Sequence, residues 1–311
     1  MHAVRINEHG GPEVLEVVDV PAPEPRPGRL LVDVAAVGVN YRDVYEREGS
    51  YGGDLPAIIG VEGAGSVAGT GDRVAWVSAP GSYAEQVVVD AERAVPIPDG
   101  INDEIAAAAV LQGIAAHYLC TATHVVQDGE TVLVHAAAGG VGQLLTQIVA
   151  RRGGRVIATT STEKKAEVAR EAGAAEVIAY DGFADRVKEL TGGVGADVVY
   201  DGVGAATFDE SLASLRPRGL MVLYGAASGR VPPFDPMRLE GDGSLYLTRP
   251  SIRHYTAARE ELLARAGEVF GWIAEGKLQI RIGGRYPLED ARRAHEDLES
   301  RRTTGKLILV P

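Results

Sequence analysis

From Thr131 to about Thr248 the chain alternates runs rich in β-branched and apolar residues with amphipathic stretches, and few folds accommodate that rhythm. Strand-like runs fall at 131–134, 155–160, 176–179, 196–200 and 220–224, with a last one at 244–248. Helical segments fall near 141–152, 163–172, 183–190 and 206–215. Such alternation requires crossover connections and predicts a parallel, doubly wound sheet whose ligand crevice lies at the carboxyl ends of the strands. The first strand runs into His135-Ala136-Ala137-Ala138-Gly139-Gly140-Val141-Gly142, a small-residue turn that opens a helix. The start of a helix offers unpaired N–H groups and the positive end of a dipole, a ready seat for phosphate. Ala137, Gly139 and Gly142 stand at the three small positions of the dinucleotide-binding fingerprint, with Ala replacing the first Gly. Taken alone, the turn does not separate a cofactor site from an ordinary strand–helix connection. Its surroundings do.

Residues 1 to about 100 have a different texture. Strand-like runs at 14–20, 30–37, 73–77 and 84–89 are broken by Gly and by Pro21, Pro23, Pro25 and Pro27. Short strands with such breaks suggest a small barrel or sandwich. Asn102 is placed to cap a helix through the alanine run 106–109, which reads as packing. Beyond 255 the pattern predicts a long helix at 256–275, a strand at 278–282, an amphipathic helix at 288–301 and a strand at 306–310, the tail rejoining the first lobe. At 311 residues the chain has room for two cores.

The net charge of −12 argues against non-specific binding to nucleic acid or anionic membranes, so an anionic ligand must be held by local cations. A single cysteine, Cys120, excludes an intrachain disulfide and a cysteine-rich zinc site. The start, Met1-His2-Ala3-Val4-Arg5-Ile6, lacks the apolar core of a signal peptide, and no run approaches the roughly 20 apolar residues that span a bilayer. A soluble cytoplasmic protein is expected.

The end of the second strand of the alternating region should declare which dinucleotide is bound. An NAD site places Asp or Glu there, about 20 residues past the turn, on the ribose 2′-hydroxyl. Here the chain reads Ala158-Thr159-Thr160-Ser161-Thr162-Glu163-Lys164-Lys165. Hydroxyls and ammonium groups suit a 2′-phosphate, and cations at a helix start are unfavourable without such a ligand. The alternative is a solvated helix start. NADPH is the expected cofactor.

Many short motifs in order carry a resemblance over essentially the whole chain. They include Gly38-Val39-Asn40-Tyr41-Arg42-Asp43-Val44-Tyr45, Gly60-Val61-Glu62-Gly63-Ala64-Gly65, Gly71-Asp72-Arg73-Val74 and Gly81-Ser82-Tyr83-Ala84-Glu85. The glycine turn, Tyr200-Asp201-Gly202-Val203-Gly204, Leu247-Thr248-Arg249-Pro250 and Tyr286-Pro287-Leu288-Glu289-Asp290-Ala291 continue them. In these the chain resembles the quinone oxidoreductase (zeta-crystallin-like) family of zinc-independent medium-chain dehydrogenases/reductases. The resemblance implies a GroES-like, β-rich catalytic domain from residues 1–115 and 256–311, and a Rossmann NADPH-binding domain from 116–255. It also implies a homodimer, here through the sheet edge near 245–247.

Carried over residue by residue, the resemblance puts Gly139, Gly140 and Val141 on the pyrophosphate and Lys165, Tyr180 and Ser161 on the 2′-phosphate. Asn40, Asp43 and Thr123 fall around the nicotinamide and its ribose, and Tyr224, Gly225 and Arg249 close over the cofactor. Tyr180 could instead pack at a strand end, and Arg249 could pair with a surface acid. Asn40, Tyr45 and Tyr51 are the candidate catalytic residues. A tyrosine hydroxyl could stabilise charge developing on a substrate carbonyl, although packing explains Tyr45 and Tyr51 equally well. Zinc alcohol dehydrogenases have Cys where this chain has Asn40 and Gly-His-Glu where it has Gly60-Val61-Glu62, so no metal site is expected. One departure from the family pattern is a hairpin trimmed to Thr70. His295 reads as structural.

The resulting expectation is hydride transfer from NADPH to a quinone. The alternatives are an enoyl or alkenal reductase and, outside catalysis, an NADPH-binding structural or RNA-binding protein. Small-molecule acceptors are the expected partners.

Overall fold

The computed structural model describes all of residues 1–311. The chain divides into two compact units, Met1–Ile114 with Tyr255–Pro311, and Ala115–His254.

The first unit begins with β1 (His2–Ile6), β2 (Glu16–Asp19) and the long β3 (Arg29–Val39), followed by α1 (Tyr41–Arg47). Next come β4 (Ala57–Ile58), β5 (Gly63–Val67), β6 (Arg73–Trp76), β7 (Gln86–Asp90) and β8 (Ala94–Pro96). The proline-rich stretch between β2 and β3 joins neither strand, since proline cannot donate to a ladder. β2, β1 and β4 form a small antiparallel sheet. β3 is the hub of the larger sheet and pairs with both β5 and β7 along its length. The trimmed β5–β6 hairpin turns tightly over 68–72, where Thr70 Oγ1 donates to Asp72 at 2.7 Å.

α2 (Asp103–Tyr118) starts at Asn102, whose side chain accepts the Ile105 N–H at 2.8 Å. Ala106 to Ala109 are all buried, as packing residues should be. A π-helical turn, Leu119–Thr123, extends this helix. Within residues 103–123 an 18-residue stretch has a mean hydropathy of 1.5, so this helix is long and apolar enough to cross a membrane, which corrects the expectation that no run comes close. Of that stretch 72% lies inside the protein, so its apolar surface is already covered.

The second unit follows the predicted alternation: β9 (Thr131–Val134), α3 (Gly140–Arg151), β10 (Arg155–Thr159), α4 (Glu163–Glu171) and β11 (Glu176–Ile178). It continues through α5 (Phe183–Leu190), β12 (Ala196–Asp201), α6 (Phe208–Ala213), β13 (Leu215–Leu223), α7 (Met237–Gly241) and β14 (Tyr246–Thr248). The sheet order is β11-β10-β9-β12-β13-β14, and every pairing is parallel. Strand order reverses beside β9, so the glycine turn leaves the sheet at its topological switch point. A cluster of Leu133, Ile157, Phe183, Val187, Val199, Phe208 and Met221 fills its core.

Beyond α8 (Ile252–Tyr255), the tail folds as α9 (Arg259–Ala274), β15 (Ile282–Pro287), α10 (Ala291–Glu299) and β16 (Lys306–Val310). The long helix expected at 256–275 forms as α9, starting three residues later. Between it and α8 lies Thr256, which is fully buried and accepts from Arg93 through both its hydroxyl (2.9 Å) and its carbonyl. The strand expected at 278–282 forms at 282–287 instead. Its place is set by parallel pairing with β16, in which Ile282 opposes Lys306 and Tyr286 opposes Leu309. Tertiary pairing outweighs the local apolar run, of which Leu278 simply plugs the core. β16 also pairs antiparallel with β3, so the last strand of the chain is built into the first unit's sheet.

Candidate functional site

At the carboxyl end of β9 the chain makes a close turn into α3. Ala136 takes a left-handed conformation (φ 50°), and a methyl on Gly142 would overlap the Ala136 carbonyl. Only glycine lets the first turn of α3 lie this near the strand end. Gly139 is the N-cap and supplies no side-chain cap, which leaves the N–H groups at Gly140 and Val141 to an outside acceptor.

The neighbouring strand ends complete this side. Thr162 caps α4 by accepting the Lys165 N–H, and the Lys165 ammonium reaches Ser161 Oγ at 3.4 Å. No carboxylate stands between Thr159 and Thr162. The Tyr180 hydroxyl accepts the Ala136 N–H at 3.0 Å, tying the tyrosine to the turn. Tyr224 and Gly225 follow β13, and Arg249 donates across to the carbonyls of Leu223 (2.9 Å) and Gly225 (3.3 Å). Arg249 therefore fastens two strand ends together, rather than pairing with a surface acid. Thr123 lies in the π-helical turn, and its hydroxyl is buried without a hydrogen-bond partner. π-turns and unsatisfied buried polar groups both recur at functional sites.

In the other unit, Asn40, Glu62 and Lys306 form a fully buried polar cluster. The Lys306 ammonium donates to Asn40 Oδ1 (2.6 Å) and to Glu62. Asn40 Nδ2 donates to Glu62 (2.6 Å) and to the Gly38 carbonyl (3.3 Å), while Gln112 donates to Asn40 Oδ1 (3.2 Å). The hydrogen-bonding capacity of the carboxamide is thus spent inside the protein. A methyl on Gly38 would overlap both Glu62 and Lys306, so glycine is needed where these side chains pass.

Asp43 is likewise buried and faces inward. Its Oδ2 accepts from the Asn40 N–H (2.9 Å) and the Tyr83 hydroxyl (3.0 Å), whereas Oδ1 has no hydrogen bond and sees Arg42 at 3.6 Å. Burial pushes its pKa up to about 6, against the pull of Arg42 and Lys306. From Tyr83 the chain of contacts runs through His295 (3.1 Å) to Arg47 (3.2 Å), which grips Glu299 with two bonds of 2.9 Å. His295 is buried, its pKa pushed down to about 3 by desolvation and by Arg47, and it serves structure.

Tyr45 and Tyr51 form a separate aromatic group on α1 and the loop after it. Their rings meet edge to face at 6.1 Å, and the Arg42 guanidinium lies 5.6 Å from the Tyr51 ring. Tyr51 is 58% exposed, so packing alone does not account for it.

Sequence reasoning missed the buried partners: Glu62 with Lys306, Tyr83 with His295 and Arg47, and a set around His135 at the end of β9. The one available signal was a charged or polar residue inside an otherwise apolar strand pattern, as at Lys306 and His135.

Residues 26–99 match the alcohol dehydrogenase GroES-like domain family, and residues 140–266 match the zinc-binding dehydrogenase family. A quinone oxidoreductase from Pseudomonas aeruginosa is 43% identical, with 99% of each chain covered. The chain belongs to the quinone oxidoreductase family of medium-chain dehydrogenases/reductases. A solved mycobacterial structure, complexed with NADPH, is 50% identical with both chains fully covered and a TM-score of 0.98. A 2-haloacrylate reductase from a Burkholderia species is 37% identical, with 99% of this chain and 98% of that one covered. The fold is the family's: a GroES-like β-rich domain and a Rossmann-type parallel sheet.

Proposed function

We propose that this chain is an NADPH-dependent, zinc-independent reductase acting on quinones. The observation that carries the reading is the end of β10, where Ser161, Thr162 and Lys165 stand in place of a carboxylate, with Tyr180 alongside the turn. The mycobacterial relative's complex with NADPH and the names of the curated relatives support it. On this reading residues 116–255 hold the cofactor, and residues 1–115 with 256–311 form the catalytic domain.

The backbone N–H groups of Gly140 and Val141, beside Gly139, bind the pyrophosphate through the α3 dipole. Lys165 and Tyr180, helped by Ser161, would bind the 2′-phosphate. The orphaned Thr123 hydroxyl gains its partner from the nicotinamide end, and Tyr224, Gly225 and Arg249 enclose the cofactor. NADPH, when bound, supplies the hydride. Asp43 and the engaged carboxamide of Asn40 serve by fixing the start of α1, which carries Tyr45 and leads to Tyr51. These tyrosines stabilise charge on the acceptor carbonyl and receive its ring.

The residues at the metal-ligand positions of zinc alcohol dehydrogenases do not suit zinc here. Asn40 and Val61 replace Cys and His, and the Glu62 carboxylate already carries the Lys306 ammonium. Without a Lewis acid to stabilise an alkoxide, an acceptor open to direct hydride attack is favoured. Cys120, buried and unpaired, fits a reducing compartment such as the cytoplasm. β14 is an edge of the parallel sheet with Tyr246 exposed, and we assign the homodimer contact to it.

Reduction of a C=C bond next to a carbonyl is the second reading, favoured by the 2-haloacrylate reductase relative. A panel with NADPH separates the two. 1,4-Benzoquinone and 9,10-phenanthrenequinone should turn over faster than alkenals, and the reverse order would replace the quinone assignment. For the assembly, light scattering should give twice the mass of the 32.7 kDa chain. A monomer would remove the β14 contact.

A further inference from the structure

His135 is the last residue before the glycine turn and is completely buried. Its ring is fixed by one directional chain of hydrogen bonds. Asp201 accepts from the hydroxyls of Thr207 (2.7 Å) and Ser211 (3.0 Å), and from the N–H groups of Val203 (2.7 Å) and Gly204 (3.0 Å). Because Ser211 spends its proton on Asp201, its oxygen must accept from His135 Nε2–H, 2.9 Å away. Nδ1 then carries the lone pair and accepts from the Thr159 hydroxyl at 2.8 Å. Both ring nitrogens are spoken for, in one tautomer, so the plane of the ring is set.

Tyr180 lies against that plane. The two rings stack with centroids 6.1 Å apart and an interplanar angle of 18°, and Phe183 closes the other approach edge-on at 4.8 Å. The Tyr180 hydroxyl meanwhile holds Ala136 N–H, at the left-handed residue that starts the turn. Thr159, the far end of the chain of bonds, is the last residue of β10 and leads directly to Ser161 and Lys165. His135 therefore joins two strand ends that must keep their spacing if one phosphate is to meet both.

We propose that His135 is a positioning residue for cofactor choice: it holds Tyr180 and the end of β10 at the separation a ribose 2′-phosphate needs, and so favours NADPH over NADH. The proposal rests on the reading that Lys165 and Tyr180 form the 2′-phosphate site. His135 touches no part of the cofactor itself.

The test compares four ligands on the full-length protein: NADPH, NADH, adenosine 2′,5′-bisphosphate and 5′-AMP, with dissociation constants from titration calorimetry. His135→Asn keeps one hydrogen-bonding group and removes the stacked ring. It should weaken NADPH and the bisphosphate about three- to tenfold, the size of a lost aromatic pair, and NADH and 5′-AMP less than twofold. Ser211→Ala, which breaks the chain of bonds and keeps the ring, should act in the same direction more weakly. It is the variant to read if His135→Asn does not fold. Equal weakening of all four ligands, or of none, would overturn the proposal. Lys165→Glu isolates the premise. If it leaves the NADPH-to-NADH preference unchanged, the 2′-phosphate reading itself fails and the proposal goes with it. If it abolishes the preference while the His135 and Ser211 variants keep theirs, only the role of His135 falls.

Discussion

In the unit built from both chain ends, Lys306 reaches Asn40 and Glu62 across 266 and 244 residues of chain, and Arg47 reaches Glu299 across 252. In the unit 115–254, His135 finds Thr159 only 24 residues on and Ser211 76 residues on. The first set is ionic: an ammonium, a guanidinium and carboxylates, several of them fully buried. The second has one carboxylate, satisfied by four neutral donors, and otherwise hydroxyls and a neutral imidazole. Buried ions are costly to leave unpaired, so they make a strong condition on which distant strands must meet. Neutral hydroxyl networks contribute about 1 kcal/mol per bond, but they fix direction. The ionic set fastens β16 into the sheet that holds Asn40. The neutral set orients a turn. One ties distant strands together and the other, on the proposed function, aims a binding surface.

This contrast can be broken by substitution. Lys306→Met removes the cation while leaving Glu62 buried. Urea unfolding should show a loss of about 3–5 kcal/mol, and adding Glu62→Gln should recover part of it. A loss under about 1 kcal/mol would show that the ionic cluster does not hold the fold.

A smaller effect, with a definite sign, comes from acid. Burial pushes the His135 pKa down to about 4, so between pH 6.5 and 4 the unfolded chain binds a proton that the folded protein refuses. Stability therefore falls as pH falls through that window. In the other unit two shifts oppose each other. His295, pushed down to about 3, acts in the same sense, but Asp43, pushed up to about 6, keeps its proton when folded and gains stability below that value. Around pH 5 the pair nearly cancels, which leaves the acid sensitivity mainly to His135. The urea midpoint should drop between pH 7 and pH 5, and His135→Asn should flatten that slope. Asp43→Asn, which removes the opposing shift, should steepen it, and a slope unchanged by Asp43→Asn would show the opposition between His295 and Asp43 to be wrong.

The parallel sheet was readable because its central strands carry continuous apolar runs, such as Val132–Val134, Val156–Ala158 and Val198–Tyr200, a pattern that burial on both faces imposes locally. The glycine turn was readable for a related reason: spacing alone shows where backbone must pass close to backbone. α1 was not, since Tyr41 to Arg47 is short and polar and owes its start to Asp43 capping Asn40. β15 was misplaced by four residues because its partner, β16, lies more than 20 residues further on. Candidate site residues on exposed strand ends, such as Lys165 and Ser161, announce themselves by charge and hydroxyl content. The partners that orient them do not, because His135, Asp201 and Ser211 meet only once the sheet has formed. Asn40 shows the same limit. Its position in the chain pointed to the reacting centre, and only the fold revealed that its carboxamide is occupied by Lys306, Glu62, Gln112 and Gly38.

The claim that joins fold to function is that the hydroxyls and ammonium at the end of β10 receive a 2′-phosphate. The most direct test is the steady-state reduction of 9,10-phenanthrenequinone by the unmodified protein with NADPH and, in parallel, with NADH. One well-placed charge-assisted phosphate contact is worth about 1.5–3 kcal/mol, so kcat/KM should favour NADPH by at least about tenfold. Equal values for the two cofactors, or a preference for NADH, would contradict the account.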